Sequence, residues 1–497
     1  MDGTEPSAEQ KARLHKVADL LLDIYKTLAE MRYIDPQGIR PGPHNITAIR
    51  PLYEKFGLDP AVVYLYSILP YIDTDVAGNS DFFHGGAFAN FLDPEDVEQG
   101  RDPMYGSPEG DDYESEDGPY MRPWVTPLSM MGNHQSVIIY DARLHRIWII
   151  DQESWDTTDP KAVKGLKASK TDKNRNSYVA IPNRPAEEVL GDINTWFRTL
   201  EELPGSNGEQ SGGEWNSWDE VLDLRGLYRK NGWPDNFDGD AFQVDQARGY
   251  AASMAKDHSE QPVKEVRKFT SWAKFGDQDV HRARDALAKA TTEDEEWSSR
   301  YTIWSTEQRI ARNQEEIKKA EEEAERLCPG GVCQKREDLP LWEFEQLWHE
   351  YRWKKESVDN ARNWAEGSKD EPEREREFLI EQRRNEKEAL VYQKAYEASK
   401  ADAERLCPGK TFESATGIKS LGRKDTLSSI QDQKDIIFRM ERELEKTREW
   451  LAQVPQNAVK TRETVTNDIK GYEEGIDGAR KSKERDEKWL AEHGNTD

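Results

Sequence analysis

The 497-residue chain carries 97 Asp plus Glu against 70 Lys plus Arg, a formal net charge of −27, and its hydrophobic fraction of 35% barely exceeds its charged fraction of 34%. That length exceeds what one growing core serves, so two or more units are expected, and so little apolar material favours long helices with a wide charged face. The charge disfavours duplex nucleic acid and anionic membrane as partners, and no apolar run reaches the ~20 residues that cross a bilayer.

The segment Met1 to Gln10 is acidic and polar where a signal peptide needs a basic and then apolar start, so a cytoplasmic protein is expected. Leu14, Val17, Leu21, Ile24, Leu28 and Met31 recur at three and four residues, which predicts a helix from about Ser7 to Tyr33. Gly38 and the cluster Pro41, Gly42, Pro43 stop it. Asn45 or Thr47 is positioned to cap a short second helix through Leu52 and Phe56, and Ala61 to Leu69 reads as a third, too apolar all round to lie on a surface.

From Tyr71 to Tyr120 the periodicity dissolves into Gly, Asp, Pro and Phe, with an acidic loop over Glu109, Asp111, Asp112, Glu114, Glu116 and Asp117. Within it, His84 to Phe91 reads as a tight turn leading into a packed strand. Asp73, Asp75, Gly78 and Asp81 imitate a calcium loop but put Ala77 and His84 where ligands belong, so the match fails.

The centre of the first half is Pro123 to Asp151. Val137 to Tyr140 and Ile147 to Ile150 are two apolar, β-rich runs joined by a polar connector from Asp141 to Arg146, which predicts an antiparallel pair covered on both faces. Gln152 to Ser177 reads as a long loop, Ala186 to Leu203 as an amphipathic helix, Gly205 to Gly213 as a break, and Trp218 to Asn231 as another helix. Trp233 and Pro234 make a stiff corner. The fold class expected is an α+β N-terminal domain with an antiparallel strand core over residues 1–255, then long antiparallel helical hairpins or a coiled coil over 256–497.

In that second half Ile303, Ile310, Ile317 and Ala324 are spaced by sevens, with Ala320 and Leu327 as interleaved seam positions. Leu341, Phe344, Trp348 and Tyr351 form a second stripe, and Ile437, Met440, Leu444, Leu451 and Val454 a third ending at Pro455. Thr411 to Ser429 reads as a reversing loop, and a last charged helix covers Val465 to Leu490. The heptapeptide from Ala324 to Gly330 recurs word for word from Ala403 to Gly409, so two helices should stop in the same way, at Pro and then Gly. The three cysteines make no secreted disulfide framework. Cys328, Cys333 and Cys407 read as helix-end residues.

Candidate chemistry is sparse. His134 and Asp151, with His84 approaching from the preceding segment, could form the histidine and carboxylate set of a general base or metal site, with Asp141 and His145 close in sequence. No GxSxG, Walker or GxGxxG motif occurs, so no cofactor is expected. Turn and cap roles are the simpler account of these residues. Tyr120, Trp124 and Trp233 are candidate protein-binding anchors where exposed.

Trp124 to Pro127, then Gly132 and Asn133, Val137 to Asp141 and Ile147 to Asp151 resemble the second half of the SUKH superfamily fold. A proline-containing apolar strand there precedes a Gly-Asp or Gly-Asn turn and two more strands, and a helix comparable to Ala186 to Leu203 follows. The resemblance covers about Thr47 to Leu203 and implies an α+β intracellular binding or regulatory module; the chain is also similar to large fungal proteins sharing the segments Gly132 to Ser136 and Ile147 to Gln152, which imply no activity. The function expected is a non-enzymatic protein-interaction or scaffold protein with a binding head and a helical arm through which it can dimerise. The alternatives are a metal-dependent hydrolase using His84, His134 and nearby aspartates, and a secreted effector-like or toxin-immunity-like protein.

Overall fold

The computed structural model describes residues 5–102, 121–130, 136–151, 154, 156–162, 177–204, 222–331, 339–408 and 415–493. The acidic run at 109–117, the break at 205–213 and Trp218 lie outside them. By its contacts the chain divides into two units, residues 1–253 with 342–399, and residues 254–341 with 400–497.

In the first unit, Ser7 opens helix α1 (Ala8–Glu30) by accepting the Gln10 amide at 3.2 Å. Leu14, Val17, Leu21, Ile24 and Leu28 are each no more than 2% exposed, so the predicted stripe is the one that packs. Strand β1 (Ile39–Arg40) follows. Helix α2 (Arg50–Lys55) is not capped by Asn45 or Thr47: the Asn45 side chain closes a local turn on the Thr47 amide at 3.1 Å, and Pro51, whose φ is already helical, starts the helix. Helix α3 (Pro60–Ile68) does take a side-chain cap, Asp59 accepting the Ala61 amide at 2.9 Å. Then come β2 (Tyr71–Ile72), antiparallel to β1, helix α4 (Thr74–Ala77), β3 (Ala87–Phe88) and helix α5 (Pro94–Gln99).

Strands β4 (Val125–Pro127), β6 (Ser136–Asp141), β7 (Arg146–Asp151) and β8 (Arg184–Pro185) make a four-stranded antiparallel sheet in that spatial order, while β5 (Ser129–Met130) pairs with β3. The central register sets Ile138 opposite Ile149 and Tyr140 opposite Ile147. Alternation then sorts the two apolar runs onto opposite faces. Ile138, Tyr140, Ile147 and Ile149 join the core built with α1, α3 and helix α6 (Ala186–Thr199), whereas Val137, Ile139, Trp148 and Ile150 pack with Met121, Val125, Tyr178 and Ile181. Both faces are covered, as two unbroken apolar runs require.

Helix α7 (Leu224–Lys230) leads into the aromatic cluster of Tyr228, Trp233, Phe237 and Phe242, and then helix α8 (Gly239–Lys289) begins. Its first turns meet helix α10 (Leu339–Gly367) and helix α11 (Pro372–Leu406) through Ala247, Ala251, Leu347, Ala395 and Tyr392, with Arg248 Nε 3.0 Å from Glu343. The residues 342–399 thus group with the first unit. The division between units falls within α8, α10 and α11.

The second unit contains helix α9 (Glu293–Leu327) and an antiparallel hairpin of α12 (Ala415–Gln453) and α13 (Val459–His493). Residues 415–429, expected as loop, are the first turns of α12. Once a helix is nucleated by packing further along, each added turn costs little, and isolated Gly, Ser and Thr do not stop it. Trp297, Tyr301, Trp304 and Trp450 form an aromatic knot between α9 and the hairpin, and Tyr301 donates to Asp468 at 2.6 Å. The isoleucine seam is only half-buried, and Leu327, assigned to it, is 42% exposed. Tyr301, Thr306 and the seam residue Ala320 are the buried positions of α9, and Trp297 and Trp304 are partly buried like the isoleucines.

The repeated heptapeptide ends α9 at Leu327 and α11 at Leu406, with the Cys328 amide bonded to Ala324 O at 2.7 Å and the Cys407 amide to Ala403 O at 2.8 Å. Gly330 takes φ +64°, the left-handed exit the sequence predicts. Cys328 is disulfide-bonded rather than a plain helix-end thiol, and Cys407 is a buried thiol outside any disulfide; Cys333 lies outside the described residues.

Candidate functional site

His84 sits at a turn in which Phe82 N bonds to Gly86 O at 2.6 Å and His84 itself adopts φ +44°. Its ring stacks on Phe83, which is buried against Trp196 and Phe197, and its Nε2 lies 3.2 Å from Glu202 Oε1. The turn is pressed against the start of β6: a side chain at Gly86 would meet Ser136 O at 2.7 Å, and the Ser136 amide points at His84 O, 3.4 Å away. Since Ser136 pairs with Asp151, the backbones of His84 and Asp151 are brought to one end of the sheet.

Their side chains take different partners there. The Asp151 carboxylate accepts the Ser154 amide at 2.7 Å. The carboxylate beside His84 is Glu202, which sequence reasoning missed. Glu202 stands just past α6, brought back by the left-handed Leu200 (φ +61°), and nothing in the periodicity marks a leucine as a helix stop. His134 lies outside the described residues. Among the described residues no group of three or more His, Cys, Asp or Glu side chains is disposed to hold a metal ion.

Asp141 and His145 organise the turn between β6 and β7. The Asp141 carboxylate accepts the amides of Arg143 at 2.8 Å and Leu144 at 2.7 Å, and His145 takes φ +56°. The imidazole then bridges two elements: Nδ1 is 2.9 Å from the Tyr140 hydroxyl and Nε2 is 3.0 Å from Glu187 Oε1 in the first turn of α6. The close approach of the His145 ring holds the Glu187 carboxyl below the usual range, and burial pushes the Tyr140 phenol up. This line of three groups fastens the hairpin tip to α6.

On the outside of that tip lies an aromatic and cationic surface. Trp124 is half-buried, and its carbonyl accepts the Ala142 amide at 2.9 Å. The Arg143 guanidinium stacks 3.7 Å above the Trp124 ring and is gripped by Asp59 Oδ2 at 2.9 and 3.3 Å, yet its side chain remains 53% exposed. Leu144 beside it is 63% exposed.

No family model, curated protein or solved structure matches this chain.

The other two candidate anchors fare differently from Trp124. Trp233 is only 6% exposed, donates its Nε1 proton to Arg198 O at 3.0 Å and packs edge-on against Phe237, so it belongs to the core and offers no face to a partner. Tyr120 lies outside the described residues. Arg143 and Leu144 were hidden in the sequence as a polar connector; the signal that finds them is the Asp141 cap, which fixes a short turn and forces the residues after it outward.

The loop expected over Gln152 to Ser177 also carries an unforeseen buried ion pair. Thr158 N bonds back to Ile149 O at 3.0 Å, placing Asp159, 3% exposed in its side chain, against Arg184 through two bonds of 2.7 and 3.0 Å. Arg184 also reaches Asp192 at 2.7 Å, and Lys161 covers the same carboxylate at 2.7 Å. Among the described residues no helix is long and apolar enough to cross a membrane.

Proposed function

We propose that this chain is a non-enzymatic, cytoplasmic protein-interaction or scaffold protein that engages a protein partner through the Trp124, Arg143 and Leu144 surface. The observation that carries this reading is the state of Arg143: stacked on an indole and held by a carboxylate, it is ordered before any partner arrives. Trp and Arg are the side chains that most often dominate binding energy, and an anchor fixed in advance loses less entropy on association. Residues 47–203 serve as a SUKH-like module in this proposal, supported by the succession of Val125–Pro127, the β6–β7 pair and the helix Ala186–Thr199. The helical second unit acts as the arm, and exposed Phe438 (69%) and Leu427 (50%) on α12 supply the apolar surface for pairing with a second copy as a coiled coil.

The test uses the full chain. Trp124→Ala and Leu144→Asp should each abolish quantitative cross-linking to a specific protein partner while leaving the circular dichroism unchanged, and His84→Ala should leave cross-linking intact. Partner capture insensitive to both tip variants would refute the assignment of this surface.

A further inference from the structure

Where α11 crosses the β1 and α4 edge of the first unit, a groove of about 620 Å³ is lined by Gln37, Arg40, Val76, Arg376, Leu379 and Ile380, with Pro372, Glu375 and Arg383 completing the wall. Val76, Ile380 and Leu379, the last 40% exposed, are its apolar lining. Arg40 and Arg376 both turn toward a single oxygen, Asp73 Oδ2, at 2.9 and 3.4 Å, so two guanidinium groups share one carboxylate. Arg383 takes part in no ion pair among the described residues. Three arginines and one carboxylate, Glu375, thus line the groove, with Asp73 shared by two of the arginines, so its lining carries a positive balance on a chain whose net charge is −27.

We infer that this groove receives a short acidic peptide carrying a central apolar side chain. An under-neutralised guanidinium cluster favours carboxylates, which can take bidentate hydrogen bonds from groups whose present partner is shared. The apolar lining selects the class further, because Leu379 and Ile380 reward an apolar side chain that a free phosphate or a sugar-phosphate backbone does not supply. Long polyanions are opposed by the remaining acidic surface, whereas a short peptide stays within the ~8 Å over which the local charges act at physiological salt. The inference rests on the protein-interaction reading above and names a second surface for it.

The experiment is fluorescence anisotropy with the full chain and a short fluorescein-labelled peptide of glutamates flanking a Leu-Phe pair, alongside the same peptide with glutamine for glutamate. The acidic peptide should bind saturably and the glutamine version should not. Arg376→Glu with Arg383→Glu should weaken binding roughly tenfold or more, Leu379→Asp should also weaken it, and a lysine version of the peptide should bind the doubly substituted chain. These side chains are solvent-facing on α11, and the charge-swapped peptide separates lost recognition from lost folding. Binding that survives all three substitutions places acidic-peptide recognition elsewhere and overturns the groove. Absence of peptide binding together with a partner captured through Trp124 overturns the groove and leaves the interaction reading standing; absence of both sinks the two together.

Discussion

Arg184→Met should cost the first unit about 3 kcal/mol, the lower end of the 3–5 kcal/mol expected when one member of a buried ion pair is removed. The value follows from what each carboxylate retains. Asp192 keeps Lys161 at 2.7 Å, so little of the penalty falls on it. Asp159, 3% exposed, loses both guanidinium bonds and among the described residues keeps only the Lys161 amide at 2.9 Å, so a nearly bare charge is left in the core. Because Arg184 lies opposite Ile147 in the sheet register, the loss should be read in the β7 amides. Hydrogen exchange over Arg146 to Asp151 should lose about two decades of protection, at about 1.4 kcal/mol per decade. Arg184→Met combined with Asp159→Asn should recover much of it, since removing both charges removes the desolvation cost. The exposed pair Arg198 and Glu30, 3.4 Å apart, is the control, and Arg198→Met should cost under about 1 kcal/mol. The reasoning is refuted if Arg184→Met costs no more than that control, or if the double substitution is no milder than the single one.

Trp233→Ala should lower stability by about 3–5 kcal/mol, measured as a drop in urea midpoint with unchanged slope, because it empties the cluster around Tyr228 and Phe237. Partner cross-linking per folded molecule should not change. Leu347→Ala, at a fully buried contact with α8 and α11, should cost about 2–5 kcal/mol and speed exchange in residues 244–251 before it affects β6. In the second unit, the Asp294 carboxyl is held below its ordinary range first by the Thr461 amide and also by the Lys460 amide. A folded-state value below the unfolded one stabilises above the unfolded pKa and is lost as pH falls through the folded one, so the contact of α9 with the start of α13 should loosen on acidification. Asp294→Asn should flatten that dependence in pH-resolved exchange of residues 459–465; an unchanged profile would contradict the cap.

The readable parts of this fold were those set by local periodicity. The α1 stripe and the two-faced β6–β7 pair follow from repeats of 3.6 and 2 in side chains that have one favourable place to go. The helix ends at Leu327 and Leu406 follow from Pro and Gly stereochemistry alone. What escaped was set by tertiary partners. The helix over 415–429 is imposed by packing further down the chain, and the cluster of Trp297, Tyr301 and Trp304 with Trp450 joins residues far apart in the sequence that the isoleucine heptad of α9 does not mark. At the candidate site, Trp124 was legible because an aromatic residue beside a strand is conspicuous. Arg143, Leu144 and Glu202 were not, since each owes its position to a turn residue with left-handed or capped backbone that no periodic signal announces.

That dependence on turns bears on how the tip could serve as a binding surface. A hairpin loop presenting Arg143 and Leu144 would ordinarily sample many conformations, and ordering it would consume part of any binding energy. Here the cost is met within the fold. Asp141 satisfies two successive amides, His145 is held at positive φ between Tyr140 and Glu187, and Asp59 both caps α3 and fixes the guanidinium. Each of these partners springs from a buried strand or a helix terminus, so the rigidity of the two-faced sheet extends to the exposed residues at its end. Asp141 and His145 are, in this arrangement, the struts that hold the turn carrying Arg143 and Leu144 in place.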